Sequence, residues 1–390
     1  MTIGSMSKTV VLCAYNVANF TEGGGHFWVY MQYVLGLKRC GCDVYWMECF
    51  RRSDDGDRDA AAIEAFFAKM EMLGMSGRVL LRAVGGPGSG RGVEMLGMSP
   101  QAAERVFDRA DLLLNFHYAI EPELLARFRR SAMVDIDPGL LQFWMSRGQL
   151  VVPRHDHYLT TGETVGRPDA LFPDCGLPWV PIRPAVCVEN WGPANGTGGE
   201  AMTTVSAWTS KDWIVDRTAG IRYDNSKRVA FLPYMDLPRL TRQPLELALF
   251  LAFADDRAES LVLAEHGWRI RDSRDVAGTP QAYRDYIRGS RGEFSCAKPS
   301  CIRFQNAWVS DRTLCYLASG RPVVVQDTGP SAYLPNGEGM FRFSTPEQAA
   351  AALDAMNTDY ARHCRAAREL AESCFDARTI AARILEVAAS

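Results

Sequence analysis

"WVSDRTLCYLASGRPVVVQDTG", residues Trp308 to Gly329, decides how this chain reads. Ser310 is a good helix N-cap and Asp311 suits a first helical turn. Leu314 and Leu317 give the run an apolar face. Gly320 ends it, and Pro322 blocks its continuation. Val323–Val325 reads as a buried parallel strand, with Gln326, Asp327, Thr328 and Gly329 just past its carboxyl end. In open α/β sheets, ligands bind in the crevice outside those carboxyl ends. The unpaired N–H groups of a helix start attract anions, and Arg312 adds a forked donor suited to phosphate. Both polar ends of the block can therefore face one ligand. A diphosphate would lie at Ser310 and Arg312, and hydroxyl groups would reach Asp327 and Thr328. The plainer alternative is an ordinary helix start in which Arg312 pairs with Asp311.

Working outward, the same helix–strand unit repeats. Short apolar runs recur at Val10–Tyr15, Asp43–Glu48, Arg78–Val84, Asp111–Phe116, Ala132–Asp137 and His157–Gly162, with helix-like stretches between most of them. The runs are apolar almost throughout rather than alternating, as a parallel sheet covered on both faces requires. The rhythm breaks in the proline- and glycine-rich stretch Pro173–Gly220, where a domain junction belongs. A second alternation follows, through "TTVSAW", "GEFSCA", "RPVVVQD" and "GMFRFS", and the chain ends in a long run of helix formers. The expected architecture is α/β, with two Rossmann-like doubly wound domains and C-terminal helices.

The bulk composition fits this and excludes other classes. The 390 residues are too many for one ordinary core. A net charge of −3 without a long basic run argues against nucleic acid as the main partner. No apolar run is long enough to span a membrane, and "MTIGSMSKTVVLCAY" lacks the build of a signal peptide. The 11 cysteines are scattered, mostly in apolar runs, and read as small buried residues of a cytoplasmic protein. Cys40 and Cys42 have no second pair to complete a zinc site.

From His266 to Gly329 the chain resembles the nucleotide-binding half of GT-B glycosyltransferases, and among them the bacterial CgeB-like and GT4-like group. The carrying features are Ser310-Asp311-Arg312 at a helix start, the run "CYLASGRPV" and the acidic loop at Asp327. Thr203–Leu249 resembles the entry to the same domain. The resemblance implies two domains facing across a cleft: 1–190 for an acceptor and 191–360 for a nucleotide sugar, with helices of 361–390 packing back toward the first. It implies a nucleoside-diphosphate sugar as donor substrate, no further cofactor and no metal. Ser310, Arg312, Asp327 and Thr328 carry over directly, with Gly329 in the same loop. Asp311 is a weaker match, because many relatives place a ribose-binding glutamate further along the helix and none stands there here. Lys298, after the strand "EFSCA", is a second phosphate candidate.

In the first half, "NFTEGGGHFW" follows the first strand and opens the first helix. Gly24 and Gly25 let a backbone approach a substrate closely. His26 sits at the helix start, and an imidazole has the unperturbed pKa that removal of an acceptor proton needs. The resemblance favours His26 as that base; a capping or packing histidine is the alternative. His117, past "DLLLNF", is a second catalytic candidate. Asp135, Asp137 and Glu163 lie at or past strand ends, with Glu163 read as substrate-binding. Asp135 and Asp137 form a D-x-D pattern of the kind that holds a metal, but the pattern arises often by chance. "GGPGSGRG" (Gly85–Gly92) lacks the Lys-Ser/Thr ending of a P-loop and reads as a loop near the acceptor cleft. The reading is a glycosyltransferase acting on a small-molecule acceptor. A sugar-nucleotide epimerase and a non-catalytic nucleotide-sugar-binding auxiliary protein stand as rivals.

Overall fold

The computed structural model describes residues 7–85, 92–192, 198–210, 213–216 and 220–390. The first sheet has eight strands: β1 Thr9–Cys13, β2 Asp43–Arg51, β3 Val79–Val84, β4 Glu94–Leu96, β5 Leu112–Asn115, β6 Ser131–Asp135, β7 His157–Thr160 and β8 Trp179–Pro181. Their order is β4-β3-β2-β1-β5-β6-β7-β8. Every pairing is parallel except β3 with β4. All residues of β1, β5 and β6 are buried, so the apolar runs without alternation reflect helices on both faces. The order reverses between β1 and β5. A crevice therefore opens at their carboxyl ends, where the chain continues into Tyr15 and His117.

The remaining strands are β9 Met202–Ala207, β10 Trp213–Asp216, β11 Ile221–Asp224, β12 Leu245–Phe250, β13 Arg269–Asp272, β14 Gly292–Ser295, β15 Val323–Gln326 and β16 Met340–Phe343. Six of them form a second parallel sheet in the order β13-β12-β9-β14-β15-β16, while β10 and β11 pair as a separate antiparallel hairpin. The reversal here falls between β9 and β14. Six residue pairs join β9 to β12, but only Gly292–Met202 and Glu293–Thr203 join β14 to β9. Beyond Glu293 the two strands diverge, and the fork between them is the second sheet's crevice.

The predicted helix at Ser310 is found as Asp311–Ala318, with Ser310 at the N-cap and β15 following. Strands β4, β8, β10, β11, β12 and β13 are not anticipated from sequence. The exposure of β13 alternates along its length, because an edge strand is covered on one side only. Three helices close the chain, Pro346–Thr358, Tyr360–Cys374 and Ala377–Val387. The last packs on the first helix, Gly24–Arg39, so closely that a Cβ at Gly36 would meet the Ala377 carbonyl at 2.3 Å. Val186 and Phe375–Ala377 exchange backbone hydrogen bonds and complete this seam. Most of Gly85–Gly92, read above as a loop near an acceptor, lies outside the described residues.

Candidate active site at two facing helix starts

A cavity of about 270 Å³ opens between the carboxyl edges of the two sheets. Two helix N-termini border it: Gly23–His26 from the first half and Ser310–Arg312 from the second. The first N–H groups of a helix have no partner within it. Gly23 has no side chain to cap them, and Ser310, although placed as an N-cap, makes no capping hydrogen bond. Both ends thus present helix N–H groups that no N-cap side chain takes up, the Asp311 N–H facing its own carboxylate, and the positive pole of a helix dipole to one space.

Arg312 does not pair with Asp311. Its Nε donates to Glu293 Oε1 at 2.7 Å and its Nη1 to the Val205 carbonyl at 2.9 Å. The guanidinium therefore bridges the fork where β9 and β14 part, and its charge is neutralised by a carboxylate that is itself fully buried. The position is at the switch point, but the bidentate donor expected to be free for phosphate is largely committed to the fold.

Sequence reading missed the side chain that is not so committed. Lys227 starts the short helix Lys227–Phe231 and is buried in a small space shared with Ser295–Ala297, Trp308, Ser310 and Gln326. Its ammonium donates to the Cys296 carbonyl and makes no ion pair among the described residues. Burial is the main cause that pushes its pKa down to about 7, and the neighbouring cations Arg312 and Lys298 add to this. Ser310 lines both this space and the larger cavity, so an anion at the helix start would have Lys227 behind it. The signal in the sequence was weak: "YDNSKRVAF" is two basic residues after a polar turn, with nothing to tell Lys227 from Arg228.

His26 lines the cavity. Its Nε2 lies 2.8 Å from the Tyr15 carbonyl, which can only accept. In the neutral ring Nε2 therefore carries the hydrogen, and Nδ1 keeps its lone pair. Burial lowers the imidazole pKa; the Tyr15 carbonyl and the charge of Asp137 oppose this. The orienting group is thus a backbone carbonyl. Tyr30 meets the ring edge-on at 5.3 Å. Asp311 also lines the cavity, and burial pushes its carboxyl up to about 7, against the pull of its own N–H.

Gly24 and Gly25 line the same cavity, but packing explains them. A Cβ at Gly24 would lie 2.4 Å from the carbonyls of Ala277 and Thr279, and one at Gly25 would lie 2.7 Å from the Tyr283 ring. The first helix enters against the second half of the chain, and glycine alone leaves room.

Other expected residues lie elsewhere. His117 stacks on Tyr15 at 4.9 Å and is not part of the cavity lining. Glu163 accepts from Ser331 Oγ at 2.5 Å and Ala332 N at 2.8 Å, a tie between the two halves. Asp327 pairs with Arg342 at 2.6 Å and caps Gly329 N at 2.8 Å. Thr328 is buried and donates to the Trp308 carbonyl at 2.7 Å, but unlike the others it lines the small space that holds Lys227 and Ser310. Gly329 has φ of 119° and backs onto the Gln305 backbone, so glycine is required there by conformation and by space. Asp327 and Gly329 border a neighbouring open pocket with Gln326 and Arg342. Lys298 is the N-cap of the helix Pro299–Phe304, within electrostatic range of Lys227. Asp135 accepts from Gln142 and Thr160, each at 2.8 Å, and from Asp137 N at 2.9 Å, so the D-x-D pattern builds a turn. Among the described residues no group of three or more His, Cys, Asp or Glu is placed to hold a metal ion, and no helix is long and apolar enough to cross a membrane.

No family model matches the sequence, and no curated protein matches it. Solved structures do match, over nearly the whole chain. Anabaena HepE in complex with UDP and glucose aligns with a TM-score of 0.57 at 11% identity, covering 97% of this chain and 98% of that one. AviGT4, a glycosyltransferase involved in avilamycin A biosynthesis, aligns at 0.56 and 13% identity, covering 97% and 96%. An α-glucosyltransferase in complex with UDP-glucose and DNA containing an abasic site aligns at 0.60 and 9%, covering 98% and 100%. The chain has the GT-B fold: two doubly wound parallel sheets facing across a cleft.

Proposed function

We propose that this protein is a glycosyltransferase that moves a sugar from a nucleoside diphosphate to a hydroxyl or amine of a small-molecule acceptor, in the cytoplasm and without a metal. One observation carries the reading. Two uncapped helix starts meet at one cavity between the sheets, and a buried lysine without an ion pair among the described residues lies behind one of them. That is a site for the concentrated negative charge of a diphosphate. UDP or UDP-glucose in two of the structural neighbours makes UDP the nucleotide to try first. The affinity with the CgeB-like group is part of the same proposal.

In this reading His26 Nδ1 takes the proton from the acceptor hydroxyl as its oxygen forms a bond to the anomeric carbon. The bond from that carbon to the diphosphate oxygen breaks. The leaving diphosphate gains charge, which the helix N–H groups and the Lys227 ammonium stabilise. Arg312 acts mainly by holding the fork open and in register.

The reading is tested by incubating the protein with UDP-, GDP- and dTDP-sugars, with EDTA present, and measuring release of the free nucleotide diphosphate. Turnover of one donor, accelerated by a hydroxylated acceptor and lost in His26→Gln, is the expected result. No binding and no turnover of any nucleotide sugar would overturn it.

A further inference from the structure

The loop from Asn16 to Gly23 forms one wall of the cavity through Phe20, Glu22 and Gly23. It also follows directly on Tyr15, whose carbonyl fixes the His26 ring. Its backbone is held from beneath by groups that the proposed chemistry does not use. Glu48, on β2, is buried and accepts from Ala18 N at 2.8 Å. The same carboxylate accepts from Trp46 Nε1 at 3.0 Å. The Val17 N–H adds to these donors. Lys69, from the helix Gly56–Met72, is buried and donates to the Thr21 carbonyl. Asn19 and Arg51 are joined by a reciprocal pair, Asn19 Nδ2 to Arg51 O at 2.8 Å and Arg51 N to Asn19 Oδ1 at 3.0 Å.

Glu48 and Lys69 are both buried, of opposite charge, and make no ion pair with one another or with any other group among the described residues. Burying an ion without a counter-ion is unfavourable. For Glu48 this appears as a carboxyl pushed up to about 7 by burial, against the pull of its three N–H donors. What the two share is one loop, with an acceptor for its N–H groups at Val17–Ala18 and a donor for its carbonyl at Thr21. Asn16, at the start of the loop, has a φ of 59°, a left-handed conformation that asparagine adopts more readily than most residues.

We propose that Glu48 and Lys69 are positioning residues for His26: they clamp the loop so that the Tyr15 carbonyl holds the Nε2–H tautomer and leaves Nδ1 free toward the cavity. This rests on His26 acting as the base, but its first readout does not require activity. The chain has only six histidines, so the ring nitrogens of His26 can be assigned by ¹⁵N NMR against His26→Gln. In the wild type the neutral ring shows the Nε2–H tautomer. In Glu48→Gln the amide presents a donor to a donor, either at Ala18 N or at Trp46 Nε1. The expected result is a mixed tautomer and a kcat lower by roughly tenfold to a hundredfold with donor KM unchanged. Lys69→Met moves both readouts the same way. Asn19→Ala, at an exposed position, gives a smaller change and serves if the buried variants do not fold. A His26 tautomer and a kcat like wild type in all folded variants would overturn the proposal. A normal transfer rate in His26→Gln would instead overturn the base assignment while leaving the tautomer shift as evidence for the clamp.

Discussion

The two helix starts that face the cavity offer an anion the same thing, N–H groups that no N-cap side chain takes up, yet they are held in opposite ways. At Ser310–Arg312 the support is a neutralised pair: Arg312 and Glu293 cancel one another inside the fork of the second sheet. At Gly23–His26 the support comes from Glu48 and Lys69, buried ions that bond to loop backbone. Lys227 resembles the second kind, an ammonium resting on a carbonyl. The difference separates charge that keeps the fold from charge that is kept for a ligand or for a geometry. Removing the first should unfold the protein; removing the second should leave it folded and impaired.

The sharpest way to break this comparison is Arg312→Ala. It leaves Glu293 buried with no counter-charge, and loss of one partner of such a pair costs about 3–5 kcal/mol. Urea denaturation should show that loss, and the double variant Arg312→Met with Glu293→Gln should recover most of it. A stable Arg312→Ala that merely binds nucleotide weakly would put Arg312 on the ligand side. Next in size is His26→Gln, expected to lower kcat by about 10²–10⁴ with nucleotide affinity unchanged, as isothermal titration would confirm. Lys227→Met should weaken binding of a nucleoside diphosphate by about 10- to 100-fold, the worth of a charge-assisted hydrogen bond. It should change stability little, because loss of the hydrogen bond to the Cys296 carbonyl offsets removal of a buried cation with no counter-ion among the described residues.

A pH titration sharpens the same point. Lys227 in the folded protein titrates near 7, against about 10.4 for an ordinary lysine. Between those values the unfolded chain holds a proton that the folded one lacks, so this group makes stability rise with pH across that window. A bound diphosphate requires the charged form, so nucleotide affinity should fall as pH rises above about 7, with proton uptake on binding. Lys227→Met should abolish both slopes. The smallest expected effect is Gly25→Ala. The Tyr283 ring stands 2.7 Å from the added methyl group, and a crowded interface of this kind costs about 1–3 kcal/mol. Thermal melting would register it without a change in nucleotide affinity relative to the folded fraction.

Much of the fold was legible because it is written locally. Ser310, Gly320 and Pro322 bound one helix, three valines make one strand, and that unit repeats. The approach of two helix starts to one cavity follows from placing such units at carboxyl edges. Which partner each charge takes was not legible. Arg312 and Glu293 are 19 residues apart and meet only because β9 and β14 diverge beyond Glu293. Lys227 lies beyond a hairpin that carries no motif, and its burial depends on Trp308 and Cys296, far along the chain. Gly24 and Gly25 look like ligand glycines until the second half is packed against them. Glu163 shows the same limit: a polar residue past a strand end faces the crevice only if no loop claims it first.

The account rests most directly on Lys227 as charge held for a diphosphate. The deciding measurement is the melting temperature of wild type and Lys227→Met with and without saturating UDP. A ligand that binds only the folded state raises the melting temperature by mass action. The account predicts that both proteins melt at nearly the same temperature without ligand, and that UDP stabilises the wild type clearly and the variant little. Equal stabilisation of the two by UDP, or none of either, would contradict it.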